Sequence, residues 1–152
     1  MTKTFLYGLV LSTSLLGLNA SAGYAADNAC IILGGTALAN ATDDTHFIAS
    51  LSGAFASAKA EVTTQTKTET GLALTMEHYF FEDRGGMLRT EDVAILTNVE
   101  GRENVYMIEI KYDIHETSGA FEGYGGSFQS FGLFDLNKGQ VVLRYKGEIC
   151  KS

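Results

Sequence analysis

The chain of 152 residues carries two cysteines, Cys30 and Cys150. They sit near the two ends of what remains once an N-terminal leader is set aside. In an oxidising compartment an even pair of this kind bonds. A disulfide holds its Cα atoms within about 7 Å of each other, so the first and last elements of the fold must be neighbours. A chain built that way closes on itself, as a barrel does. Chain entropy makes a crosslink around so long a loop worth about 4–5 kcal/mol. A reactive thiol or a metal ligand is the competing reading, and neither finds a further cysteine or a nearby histidine in support.

The leader supplies the compartment. Residues 1–25 read as a secretory signal peptide: Lys3 gives a positive start, and an apolar run follows from Phe5 to Leu18. That run suits a leader and is short for a membrane span, which takes about 20 apolar residues. Ala20-Ser21-Ala22 and Gly23-Tyr24-Ala25 both offer the small-x-small pattern of a cleavage site. A single N-terminal anchor is the alternative, but small residues follow at once and no stop-transfer flank appears. Cys30 follows Asp27-Asn28-Ala29 and lies well past the apolar run, which is not the context of an acylated cysteine. Residues 26–152 are then one exported domain, secreted or periplasmic.

Hydrophobic residues make up 45% and charged residues 19%, which places the chain among globular domains. Seventeen glycines and no proline imply tight glycine turns. The formal net charge is −7, and cutting away residues 1–25 removes Lys3 and no acid, leaving −8. Such acidity argues against nucleic acid and against an anionic membrane surface as partners.

The pattern is all-β. From Gln140, Val141, Leu143, Tyr145 and Ile149 alternate with Gln140, Arg144, Lys146 and Glu148, giving a strand with one buried and one wet face. Asp135-Leu136-Asn137-Lys138-Gly139 before it reads as a hairpin loop. Tyr106, Ile108, Ile110, Tyr112 and Ile114 alternate with Glu109, Lys111, Asp113 and His115, predicting a strand over 105–116. Further strands are expected at 72–82 and 87–98, joined through Asp83-Arg84-Gly85-Gly86, and an exposed one at 63–70. Cys30 to Leu33 reads as a short first strand stopped by Gly34-Gly35. Between 44 and 60, Phe47, Leu51, Phe55, Ala58 and Val62 fall at helical spacing, so a short helix is expected there, with strand alternation through Leu51, Gly53 and Phe55 as the competitor.

The closing stretch carries a resemblance. Gly119, Phe121, Gly123, Gly126, Phe128 and Gly132, followed by Asp135, Leu136, Gly139, Val141, Leu143, Tyr145, Gly147 and Ile149, resemble the end of the allene oxide cyclase-like barrel family, which shares its architecture with the dirigent proteins. Phe81-Glu82-Asp83-Arg84-Gly85 with Thr90-Glu91-Asp92 is weakly similar to an acidic turn of such chains. The resemblance implies a small closed antiparallel barrel of about eight strands. It implies no activity, since one fold hosts many functions: the plant cyclase isomerises a fatty-acid epoxide inside its barrel, and dirigent proteins steer phenoxy radicals. The matched positions are glycine, aromatic and aliphatic scaffold, so no catalytic residue carries over.

The residues themselves offer few chemical groups. His78 shares a strand face with Leu74, Met76 and Phe80, and could pair with Glu82 near the barrel mouth as an acid or base, or serve as a hydrogen-bonded core residue. Glu109, Lys111, Asp113 and His115 would form a proton-transfer set if they faced inward, and a solvated outer wall if they did not. The outer wall is favoured because four buried ionisable groups are costly. His46 lies in an acidic loop and points to no chemistry. Asp83, Glu91 and Asp92 cluster in sequence, but without the spacing of a calcium loop. Gly123, Gly125 and Gly126 lead into a strand pattern rather than a helix, so they read as barrel corners and not as a phosphate cradle. No zinc spacing and no nucleophile elbow is present in the sequence. The expectation is a barrel without metal or cofactor that binds a small apolar ligand or a partner protein. An isomerase or cyclase acting on a lipid-like substrate is the alternative, with His78, Glu109 and His115 as its candidate catalytic groups. After leader removal no stable membrane insertion is expected, and an oligomer is compatible with the sequence.

Overall fold

The computed structural model describes residues 29–151. The leader expected at 1–25 lies outside them. Eight strands follow one another: β1 (Cys30–Ala41), β2 (His46–Gly53), β3 (Ser57–Lys67), β4 (Gly71–Phe81), β5 (Met87–Asn98), β6 (Val105–Ser118), β7 (Tyr124–Asp135) and β8 (Gln140–Lys151). Each pairs antiparallel with the next, and β8 pairs with β1, so the sheet closes into an eight-stranded barrel. The only helical element among the described residues is one 3-10 turn, Gly119–Phe121, between β6 and β7. The hairpin loop foreseen at 135–139 joins β7 to β8.

Cys30 and Cys150 face each other across the seam, with Cα atoms 4.0 Å apart and a bonded S–S distance of 2.06 Å. From that pair the β1–β8 ladder runs without a break to Asn40 and Gln140. The first strand therefore does not stop at Gly34-Gly35. These glycines belong to the wall. Gly35 pairs with Gly53 of β2, and a Cβ on Gly35 would collide with the Ser52 carbonyl oxygen. Gly53 itself sits at φ +100°, a backbone that side-chain-bearing residues rarely adopt.

The helix expected within 44–60 is instead β2, a turn and the start of β3. Phe47, Ala49 and Leu51 face inward from β2, as do Ala58, Ala60 and Val62 from β3. The reversal around Gly53 to Ala56 joins two period-2 runs in a way that mimics helical spacing. Phe55, at that reversal, folds into the mouth of the barrel. Its ring packs 4.8 Å from Phe80, 5.4 Å from Tyr145 and 5.8 Å from Phe128 between centroids. The Tyr145 hydroxyl donates to the Ser52 carbonyl at 2.8 Å and accepts from the Phe55 amide at 3.2 Å, which ties the turn down. Aromatic packing plugs this end, and Phe47 meets Phe134 edge-on farther along the barrel.

Tyr106, Ile108, Ile110, Tyr112 and Ile114 of β6 point inward, and Glu109, Lys111 and Asp113 point outward. The extra residue at the β5–β6 bulge is His115, skipped between the Arg89–Glu116 and Thr90–Ile114 pairs.

Candidate functional site

Eight strands give a lumen that side chains just fill or that holds one small ligand. Which outcome applies depends on residue size, layer by layer. On β1, β2 and β3 the inward positions in the middle of the barrel are alanines: Ala37, Ala39, Ala49, Ala58 and Ala60. Larger residues from β4, β6, β7 and β8 do not fill the space they leave. An interior cavity of about 50 Å³ remains, bounded mostly by Ala, Leu, Ile, Val, Met and Phe. Four side chains that carry polar atoms reach its wall from the other strands: His78, Tyr112, Ser130 and Tyr145.

His78 comes from β4, where Leu72, Leu74, Met76 and Phe80 share its inward face. Its ring stacks on Phe80, with centroids 5.4 Å apart and planes 10° apart, and meets Tyr112 edge-on at 5.1 Å. Its carboxylate partner is Asp92 of β5, which faces inward with Leu88, Thr90, Ala94 and Leu96. His78 Nδ1 lies 2.6 Å from Asp92 Oδ2, and the carboxylate is sealed from solvent. With Asp92 as a carboxylate, Nδ1–H is the donor, and Nε2 is then the ring nitrogen able to accept a hydrogen bond. Asp92 Oδ1 and Thr90 Oγ1 are buried without a protein partner. Tyr112 donates to or accepts from Ser130 at 2.8 Å. Burial pushes the Tyr112 phenol well above its ordinary pKa; the Ser130 hydrogen bond offsets this in part, and the Asp92 charge adds to it.

Sequence reasoning placed His78 on the inner face and missed its partner. Glu82 is turned to the loop, where it accepts from the Arg84 backbone amide at 2.7 Å and pairs with the Arg84 side chain. In sequence Asp92 clusters with Asp83 and Glu91. The structure separates them, because Asp92 faces the lumen while Glu91 faces out and Asp83 lies in the exposed turn. Asp92 was legible all the same, as an acid at an inward position of an alternating strand that matches a histidine at an inward position of the neighbouring one. Glu109 and His115 are exposed on the outer wall, and His115 Nε2 lies 3.7 Å from Glu91. They do not join His78. His46 is also outside, beside Asp43, whose carboxyl is held well below the usual range by the Thr45 amide, the His46 ring and the His46 amide. Among the described residues no cluster of three or more His, Cys, Asp or Glu is arranged to hold a metal.

Fold and site together define a class: a disulfide-closed eight-stranded antiparallel barrel with a small apolar cavity and one buried histidine–aspartate pair in its wall. Comparison with family models, curated proteins and solved structures returns no match to the chain. The disulfide suits an oxidising environment outside the cytoplasm. No helix among the described residues is long and apolar enough to cross a membrane.

Proposed function

We propose that this protein is an exported carrier or receptor barrel that holds a small apolar ligand, or the apolar end of a larger one, in its lumen. The observation that carries this reading is the alanine wall of β1–β3. A barrel selected only for stability fills its interior, because unfilled volume forfeits packing contacts and costs stability. Here five inward positions on three adjacent strands are small, and they open on one shared space. Apolar burial would supply the affinity, and His78 Nε2 would orient a polar group on the ligand.

Volume limits the alternative. A dry protein cavity of about 150 Å³ takes a benzene molecule, and the cavity here is about 50 Å³. A lipid-like substrate does not fit whole into the closed barrel. The isomerase reading, related to the allene oxide cyclase resemblance, keeps one supporting observation: a histidine oriented by a carboxylate in a cavity wall is the arrangement of a general base. It would apply to a small substrate. Residues 1–25, read as a signal peptide, support export to the periplasm or beyond.

Native mass spectrometry of the protein purified from its own host tests this reading. A noncovalent adduct that disappears on denaturation, and that is missing from an Ala58→Phe variant, is expected. A bare native mass for the wild type under gentle preparation contradicts it. The denatured mass also reports which of the two cleavage patterns is used.

A further inference from the structure

The outer wall carries an apolar patch that barrel stability does not call for. In one row across four neighbouring strands, Met107 pairs with Leu133, Leu133 with Val142 and Val142 with Leu38. All four point outward, and Met107, Val142 and Leu38 are 49–54% exposed. In the adjacent row Phe131, 43% exposed, lies directly between Glu109 on β6 and Arg144 on β8. Exposed apolar residues are ordinary when scattered. An unbroken cross-strand row is different, since outward positions of a solvated sheet alternate with polar residues for want of a partner.

We propose that this face is a homodimer interface, with a twofold axis running parallel to β7 through Phe131. The charges identify the occupant as a second copy. Glu109 and Arg144 are opposite in sign, stand two strands apart with Phe131 between them, and have no ion-pair partner among the described residues. A twofold along β7 exchanges the β6 side of the face with the β8 side. It brings Glu109 of each copy opposite Arg144 of the other, twice, around the two Phe131 rings. The same operation sets Met107 against Val142 and Leu133 against its own counterpart. An isologous contact requires this self-complementarity, whereas an unrelated partner would have no reason to find it. The third row bounds the contact: Lys111 and Lys146 would oppose each other there, and Lys111 is already engaged by Asp113 at 3.1 Å.

Sedimentation velocity of the oxidised mature chain, from low to high micromolar concentration, tests the proposal. A monomer–dimer equilibrium is expected. Glu109→Arg alone or Arg144→Glu alone should weaken it by about tenfold or more, because each places like charges opposite each other twice. An equimolar mixture of the two single variants should restore association, since every cross-interface pair is then again opposite in sign. Leu133→Lys should give monomer. All three positions lie on the outer wall, so unchanged circular dichroism and thermal unfolding show that the barrel persists in each variant. A wild type that stays monomeric throughout overturns the proposal. So does a dimer indifferent to the charge reversals, or a loss that mixing does not restore.

Discussion

His78 and Asp92 form a diagonal cross-strand pair: His78 stands opposite Thr90 and Asp92 opposite Met76, yet the imidazole Nδ1 and the carboxylate Oδ2 meet at 2.6 Å inside the barrel. Around them the lumen is packed with Leu, Ile, Met and aromatic rings. A buried carboxylate in such surroundings persists only because a donor answers it.

Removing one member therefore costs more than removing both. His78→Leu leaves the Asp92 carboxylate buried and unanswered and is expected to destabilise the fold by about 3–5 kcal/mol. Asp92→Val on its own leaves a polar ring among apolar neighbours and costs about 1–3 kcal/mol. The double variant should lose far less than the sum of the two. Urea unfolding of the three variants measures the coupling, and additive losses would show that the pair does not act as a unit.

Tyrosine ionisation sets the alkaline limit. Burial raises the folded pKa of Tyr112, and to a lesser degree that of Tyr145, above the ordinary value of 10.0. Above about pH 10 the unfolded chain gives up these protons while the folded chain keeps them, so the unfolded state binds fewer. Stability attributable to these groups is present in full below pH 10 and falls as pH rises towards their folded values. Phenolate absorbance from Tyr112 should thus appear only together with unfolding. Tyr112→Phe should flatten the alkaline slope while costing about 1 kcal/mol at neutral pH for the lost Ser130 hydrogen bond.

The disulfide acts chiefly on the unfolded chain. It closes a sequence separation of 120 residues, for which loop entropy predicts about 5 kcal/mol. The β1–β8 ladder continues well beyond the cysteines, so the reduced protein should remain a barrel. Urea midpoints with and without reductant should differ by an amount equivalent to about 3–5 kcal/mol, with native-like circular dichroism in both forms before the transition.

How much of this was legible follows from particular residues. The strands β6 and β8 announced themselves because large apolar and charged residues alternate cleanly in each, and the adjacency of first and last strands followed from Cys30 and Cys150. The β2–β3 region was misread because alanine fills both helices and thin barrel walls. Phe47, Leu51, Phe55, Ala58 and Val62 fall at helical spacing in sequence, while in the fold Ala49, Ala58 and Ala60 are small inward residues that leave the cavity open. Asp92 was obscured by its neighbour: beside Glu91 it looked like half of an acidic turn, although its alternation with Leu88, Thr90, Ala94 and Leu96 puts it inside. The cavity is a sum over seven strands whose register no local pattern specifies.

The central claim is that the lumen is an apolar receptor, and xenon is its most direct probe, being small, apolar and suited to dry cavities. A crystal of the mature protein under xenon pressure should show one ordered xenon inside the barrel, in contact with Ala39, Ala58 or Ala60 and on the His78 side, and Ala58→Phe should abolish it. A lumen that admits no xenon, or that holds hydrogen-bonded waters instead, would contradict the account.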